Sequence, residues 1–165
     1  MMKENFVELV EKSIKENWVI DALSNFEKEP LKYGEVAAKI AWFHNFFVKS
    51  NIKKGDKVAL IGKNSVNWAV TYLATITYGA VIVPILPDFN ADDVHHIVNH
   101  SDSKLFFCSE SIYEKLDGSI MRNLDAVFNL EDLKLLFNRK KGIKHILEKS
   151  HDRSLKVFAE SFSLP

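Results

Sequence analysis

A chain of 165 residues, 47% hydrophobic and 27% charged, is long enough to bury one apolar core and short for two. Its 22 basic and 22 acidic side chains cancel, so it lacks the basic excess with which a nucleic-acid binder meets phosphates, and no nucleic acid is expected as a partner. The single cysteine, Cys108, excludes an intramolecular disulfide and cysteine-based zinc motifs, and fits a reducing, cytoplasmic setting.

The opening Met1-Met2-Lys3-Glu4-Asn5 lacks the basic-then-apolar order of a secretory signal. Residues 3–17 place Phe6, Leu9, Val10 and Ile14 on one helical face, which predicts an amphipathic helix. Residues 18–23 and 31–33 read as short strands around the turn Lys28-Glu29-Pro30, able to pair as an antiparallel hairpin. Residues 35–50 form a long helix whose rows Val36, Ile40, Phe43, Phe47 and Ala37, Ala41, His44, Val48 make a wide stripe for burial against a sheet.

After the turn at Gly55-Asp56, residues 57–61 are a compact apolar strand ending at Gly62. Asn64 or Ser65 caps a helix over 66–78 that is apolar almost all round, so deep burial is expected, with Trp68 as core between sheet and outer helices. The apolar region 68–86 is interrupted by Thr71, Thr75, Thr77, Gly79 and Pro84, and so reads as helix, turn and strand rather than a membrane span. A strand over 80–84, a helix over 91–100 capped by Asn90, a strand over 104–108, a short helix over 109–116 and a strand over 126–130 follow. This alternation predicts an α/β domain, a mainly parallel sheet with helices on both faces, preceded by a small helix and hairpin. Residues 134–156 are basic and mixed and read as helix and loop.

Ligands of open α/β sheets gather beyond the carboxyl ends of the strands. The first such loop, Gly62-Lys63-Asn64-Ser65, fails as a phosphate loop, because Lys57 stands where its first glycine belongs and Asn64 where its hydroxyl belongs. It reads as a capped strand-to-helix turn. In the helix 91–100, Asp92, His96 and His100 share one face at a spacing that can hold a metal, among the polar neighbours Asp93, His95 and Asn99. A solvated helix face opposite Val94, Ile97 and Val98 accounts for them better. An acyl-transfer His-His-x-x-x-Asp-Gly motif fails at His100 and Ser101. Cys108 lacks a partner base and reads as a buried thiol, and His44, Phe43, Phe46 and Phe47 read as core. No catalytic, cofactor-binding or metal residue is assigned, and the loops 62–65 and 84–90 offer no base, nucleophile or phosphate cradle.

Several segments nevertheless form an ordered set. Leu31-Lys32-Tyr33-Gly34-Glu35-Val36-Ala37 resembles the Leu-Thr-Tyr-x-Glu-Leu opening of adenylate-forming (AMP-binding) acyl-CoA synthetases. Asn51-Ile52-Lys53-Lys54-Gly55-Asp56-Lys57-Val58-Ala59-Leu60 is similar to their Gly-Val-x-x-Gly-Asp-x-Val-Ala-Leu. Asn64-Ser65-Val66-Asn67-Trp68, Gly79-Ala80-Val81-Ile82-Val83-Pro84-Ile85 and His96-Ile97-Val98-Asn99-His100-Ser101 follow in the family's order. Lys32 replaces the usual Thr, and Asn67 the usual acid before Trp68, at positions that are not catalytic in the family.

The resemblance is strongest over 31–109. It implies residues 1–130 as the N-terminal α/β subdomain of such an enzyme, and 131–165 as a polar spacer toward the phosphate loop. Leu124-Asp125-Ala126-Val127-Phe128-Asn129-Leu130-Glu131-Asp132-Leu133 looks like the corresponding stretch of long-chain fatty-acid–CoA ligases. The parent enzyme so implied joins a fatty acid to AMP from ATP with magnesium, then passes the acyl group to CoA. The family's Thr-Ser-Gly-Thr-Thr-Gly loop does not occur in these 165 residues. The resemblance therefore implies an inactive segment whose partner is the remainder of its own chain, and whose exposed interdomain surface drives self-association. The rival expectation is a standalone α/β binding module.

Overall fold

The computed structural model describes residues 5–147. Helix α1 (Phe6–Glu16) leads into a hairpin of β1 (Asp21–Leu23) and β2 (Leu31–Lys32), followed by α2 (Tyr33–Lys49). Then come β3 (Lys57–Ile61), α3 (Val66–Tyr78), β4 (Val81–Ile85), α4 (Ala91–His100), β5 (Ser103–Cys108) and α5 (Glu110–Tyr113). A 3-10 turn (Gly118–Ile120), β6 (Ala126–Asn129) and β7 (Leu135–Asn138) complete the described elements.

Among the described residues, the main sheet has five strands in the order β4-β3-β5-β6-β7. Its first four strands run parallel, and β7 is antiparallel to β6. Side chains alternate across the pleat. Val58, Leu60, Leu105, Phe107, Ala126 and Phe128 therefore face one way, against α2 and α3. Ala59, Ile61, Phe106, Cys108 and Val127 face the other, against Val94 and Val98 of α4. This is the predicted α/β architecture with a mostly parallel sheet covered on both faces.

Local chemistry sets the element ends. Ser65, rather than Asn64, caps α3, its Oγ accepting from Trp68 N at 3.2 Å. Asn90 Oδ1 accepts from Asp93 N at 3.0 Å at the start of α4. Gly79 ends α3 in the left-handed region at φ 88°. Helix α2 begins at Tyr33, earlier than the predicted residue 35, because the Glu35 carboxylate reaches back to accept from Lys32 N at 2.7 Å. The hairpin strand is shorter than its predicted 18–23 span. Trp18 instead lies over Gly34, where an added Cβ would come within 2.7 Å of the indole.

Two expectations are corrected. Residues 135–138, read as helix and loop, form strand β7. The expected burial of α3 all round is also wrong. Val66, Val70, Thr71, Ala74 and Thr75 are buried, but Trp68, Tyr72 and Leu73 are only half-buried. Trp68 sits at the core margin, its ring stacked on Tyr72 at 5.4 Å, and not between the sheet and an outer helix.

Among the described residues, strand β4 is an open sheet edge. Val81 N donates inward to Asp56 O at 2.8 Å, so by alternation the backbone groups of Ile82 and Pro84 point outward. Pro84 has no N–H, which removes a donor from that edge and disfavours pairing with another strand.

Candidate functional site at the carboxyl edge of the sheet

The Gly55-Asp56 turn shows why part of the family-like pattern carries no chemistry. It lies before β3, at the amino edge, with Gly55 at φ 82°. Asp56 Oδ2 accepts from Lys53 N and from Lys104 Nζ, each at 2.8 Å. The pair builds a tight turn and ties it to β5, on the side of the sheet away from where ligands gather.

The carboxyl edge is formed by the turn 62–65 after β3 and the loop 86–90 after β4. The hairpin loop packs against the first of them. Asn25 Oδ1 accepts from Val66 N at 2.9 Å, so the first turn of α3 is capped from outside as well as by Ser65. Residues Leu23, Ser24, Asn25 and Phe26 then face Asn64, Ser65 and Val66 across a shallow groove. Neither Asn25 nor Phe26 was singled out from sequence, because a lone Asn-Phe pair in a turn has no distinguishing pattern.

This edge does not fit a nucleotide phosphate or its magnesium. The Val66 and Trp68 amides, which would greet an anion at a helix start, already bond within the chain. Gly62 is packed under Leu130, with 2.7 Å between an added Cβ and Leu130 Cδ2. The edge carries instead large apolar side chains facing water: Phe26 is 89% exposed, Leu86 63% and Phe89 43%.

The other sequence candidates are dispersed. The rings of His96 and His100 stack at 5.7 Å, and His95 Nε2 turns away to accept from Asp117 N at 2.9 Å. Among the described residues no group of three His, Cys, Asp or Glu side chains is placed to hold a metal ion. Cys108 is fully buried, and burial pushes its thiol up to about 12, which keeps it protonated and unreactive at neutral pH. His44 is half-buried on α2 and bonded to α3, while Phe43, Phe46 and Phe47 are core. Among the described residues no helix is long and apolar enough to cross a membrane.

The described residues thus define an α/β scaffold with an open, apolar ligand-side edge and without an assembled catalytic set. Residues 10–157 match the family model "AMP-binding enzyme", and the chain belongs to that family. It is similar to bacitracin synthase 1 of Bacillus licheniformis, 32% identical over 107 residues, covering 64% of this chain and 2% of that one. It is also similar to the medium-chain fatty-acid–CoA ligase of Escherichia coli (strain K12), 32% identical over 63 residues, covering 38% of this chain and 11% of that one. In fold it matches the coronafacic acid ligase from Pectobacterium brasiliense, with a TM-score of 0.74 at 20% identity, covering 88% of this chain and 29% of that one. The chain therefore spans a small part of the length of its relatives.

Proposed function

We propose that this chain is the N-terminal subdomain of a fatty-acid–CoA ligase, and that it walls the substrate cleft without supplying the chemistry. The observation that carries this reading is the carboxyl edge itself, where Phe26, Leu86 and Phe89 stand exposed and the Val66 and Trp68 amides at the start of α3 are already bonded. Large apolar side chains left in water at the loops of this edge suit a surface made for covering. In this reading the remainder of the enzyme covers them, and the isolated chain associates with itself through the same surface. ATP, magnesium and CoA are held by that remainder, in a cytoplasmic setting. The fatty-acid substrate is supported by the similarity to the medium-chain ligase and by the family-like run 124–133.

The test is pyrophosphate release by the purified chain with ATP, magnesium and a panel of fatty acids. Adenylation depends on preorganised contacts to the transferring phosphate and the carboxylate. The expected result is no release above a no-enzyme control. Acid-dependent turnover would overturn the reading.

A further inference from the structure

We propose that the cavity between α2 and α3 binds a small neutral molecule with an apolar body and one hydroxyl group, the hydroxyl meeting Thr71. The cavity measures about 380 Å³, within the range of small-molecule pockets. Four parts of the chain wall it: Leu31 of β2, Trp42 and Phe43 of α2, Val70 and Thr71 of α3, and Leu133 of the turn before β7. It shares no lining residue with the groove at 23–26 and 64–66, so its occupant is distinct from whatever covers the carboxyl edge.

Thr71 supplies the inner polar group. It is fully buried, and its Oγ1 has no hydrogen-bond partner among the described residues. A threonine inside a helix can spend its hydroxyl on the carbonyl one turn earlier. Thr75 does so, donating to Thr71 O at 2.8 Å, and Thr77 donates to Leu73 O at 2.7 Å. Thr71 leaves the equivalent bond unmade, and a buried hydroxyl without a partner is costly. Because Thr71 also lines the cavity, rotation about its Cα–Cβ bond is enough to bring the hydroxyl to a molecule held there. It can donate to that molecule or accept from it.

The mouth sets the charge of the ligand. Glu35 and Lys39 stand one turn apart on α2, both exposed, and their opposite charges cancel, so an acid or an amine gains little there. Glu35 Oε2 already accepts from Lys32 N, and Asn67 Nδ2 donates to Glu131 O, each at 2.7 Å. The apolar walls are firm. The Trp42 ring stacks on Phe46 at 5.6 Å and meets Phe43 edge-on at 5.0 Å. Leu133 stands in the left-handed region at φ 60°, with its N–H donating to Asn129 O at 2.9 Å. A bulky side chain rarely takes that conformation, and residues held so gather at ligand clamps.

The test is NMR titration of the 165-residue chain with benzyl alcohol, toluene and benzoate, three probes of one shape. Benzyl alcohol is expected to give saturable shifts centred on Leu31, Val70, Thr71 and Leu133, while β7 is unmoved, and benzoate is expected to bind more weakly. Thr71→Val keeps the shape and removes the hydroxyl, which strands the hydroxyl of the probe. It should weaken benzyl alcohol by about tenfold and leave toluene unweakened, whereas Thr71→Ser should bind the alcohol as wild type does. No saturable shift in the wild-type chain, or shifts scattered over the surface, would overturn the proposal. So would benzoate binding more tightly than the alcohol, T71V affecting alcohol and toluene alike, or T71S losing the alcohol.

Discussion

Replacing Phe46 with alanine is expected to destabilise the domain by about 3–5 kcal/mol, the range for removing a large aromatic from a closed core. Phe46 is fully buried. Its ring stacks on Trp42 at 5.6 Å and meets Phe128 of β6 edge-on at 5.3 Å, so it joins α2 to the sheet. None of these neighbours can close the gap without leaving its own ring contacts: Phe128 also stacks on Phe107, and Trp42 packs edge-on against Phe43. Trp68→Ala is the contrasting case. The side chain is larger but lies half-buried at the core margin, and its loss is expected to cost no more than about 2 kcal/mol. Urea unfolding of the two variants measures both. Equal losses would show that the outer face of α3 is covered as fully as its inner face.

Arg139→Met should cost about 1.5–3 kcal/mol, the range for hydrogen bonds made by a charged group. The guanidinium donates to the carbonyls of Met121, Arg122, Leu124, Gly118 and Ser119 at distances from 2.6 to 3.2 Å. It also lies 5.4 Å from the Phe137 ring centroid. Met121, Leu124 and Gly118 are buried, so losing Arg139 strands carbonyls that water reaches poorly. Arg139→Lys keeps the charge but not the planar fork, and should recover only part of the loss. Urea unfolding of the three proteins checks this. An R139M midpoint equal to wild type would mean that these carbonyls find other donors.

Arg139 also shows where sequence reasoning stops. Both limits of β3 and α3 and the start of α4 are legible in the sequence, because Gly55, Gly62, the Asn64-Ser65 pair, Gly79 and Asn90 punctuate runs of clear period. Strand β7 has no such punctuation. Leu135-Leu136-Phe137 sits between Lys134 and Asn138-Arg139-Lys140-Lys141, and the strand is only half-buried. It is held in place by pairing to β6 and by a side chain that clasps a distant turn. Those are tertiary contacts, to which periodicity is blind. For α3 the failure ran the other way: an all-round apolar sequence reports the burial a helix can accept, and the described residues leave one face of it half-buried. The candidate site was legible mainly as a location. The carboxyl edge follows from topology, but the prominence of Phe26 depends on Asn25 docking the hairpin loop onto Val66 N, which neither residue announces.

In the proposed reading, the apolar edge at the carboxyl end of the sheet is covered by the remainder of a parent enzyme. Sedimentation equilibrium of the isolated chain across a wide range of concentration tests this most directly, run beside the triple variant Phe26→Ser, Leu86→Ser, Phe89→Ser. Phe26 and Leu86 stand mostly in water, Phe89 is 43% exposed, and none of them belongs to the buried core, so the substitutions leave the core intact and a change in association reports on the edge. The predicted result is concentration-dependent self-association of the wild-type chain, with the triple variant shifted to monomer. A wild-type chain that stays strictly monomeric and highly soluble at every concentration would contradict the account and favour a module complete in itself.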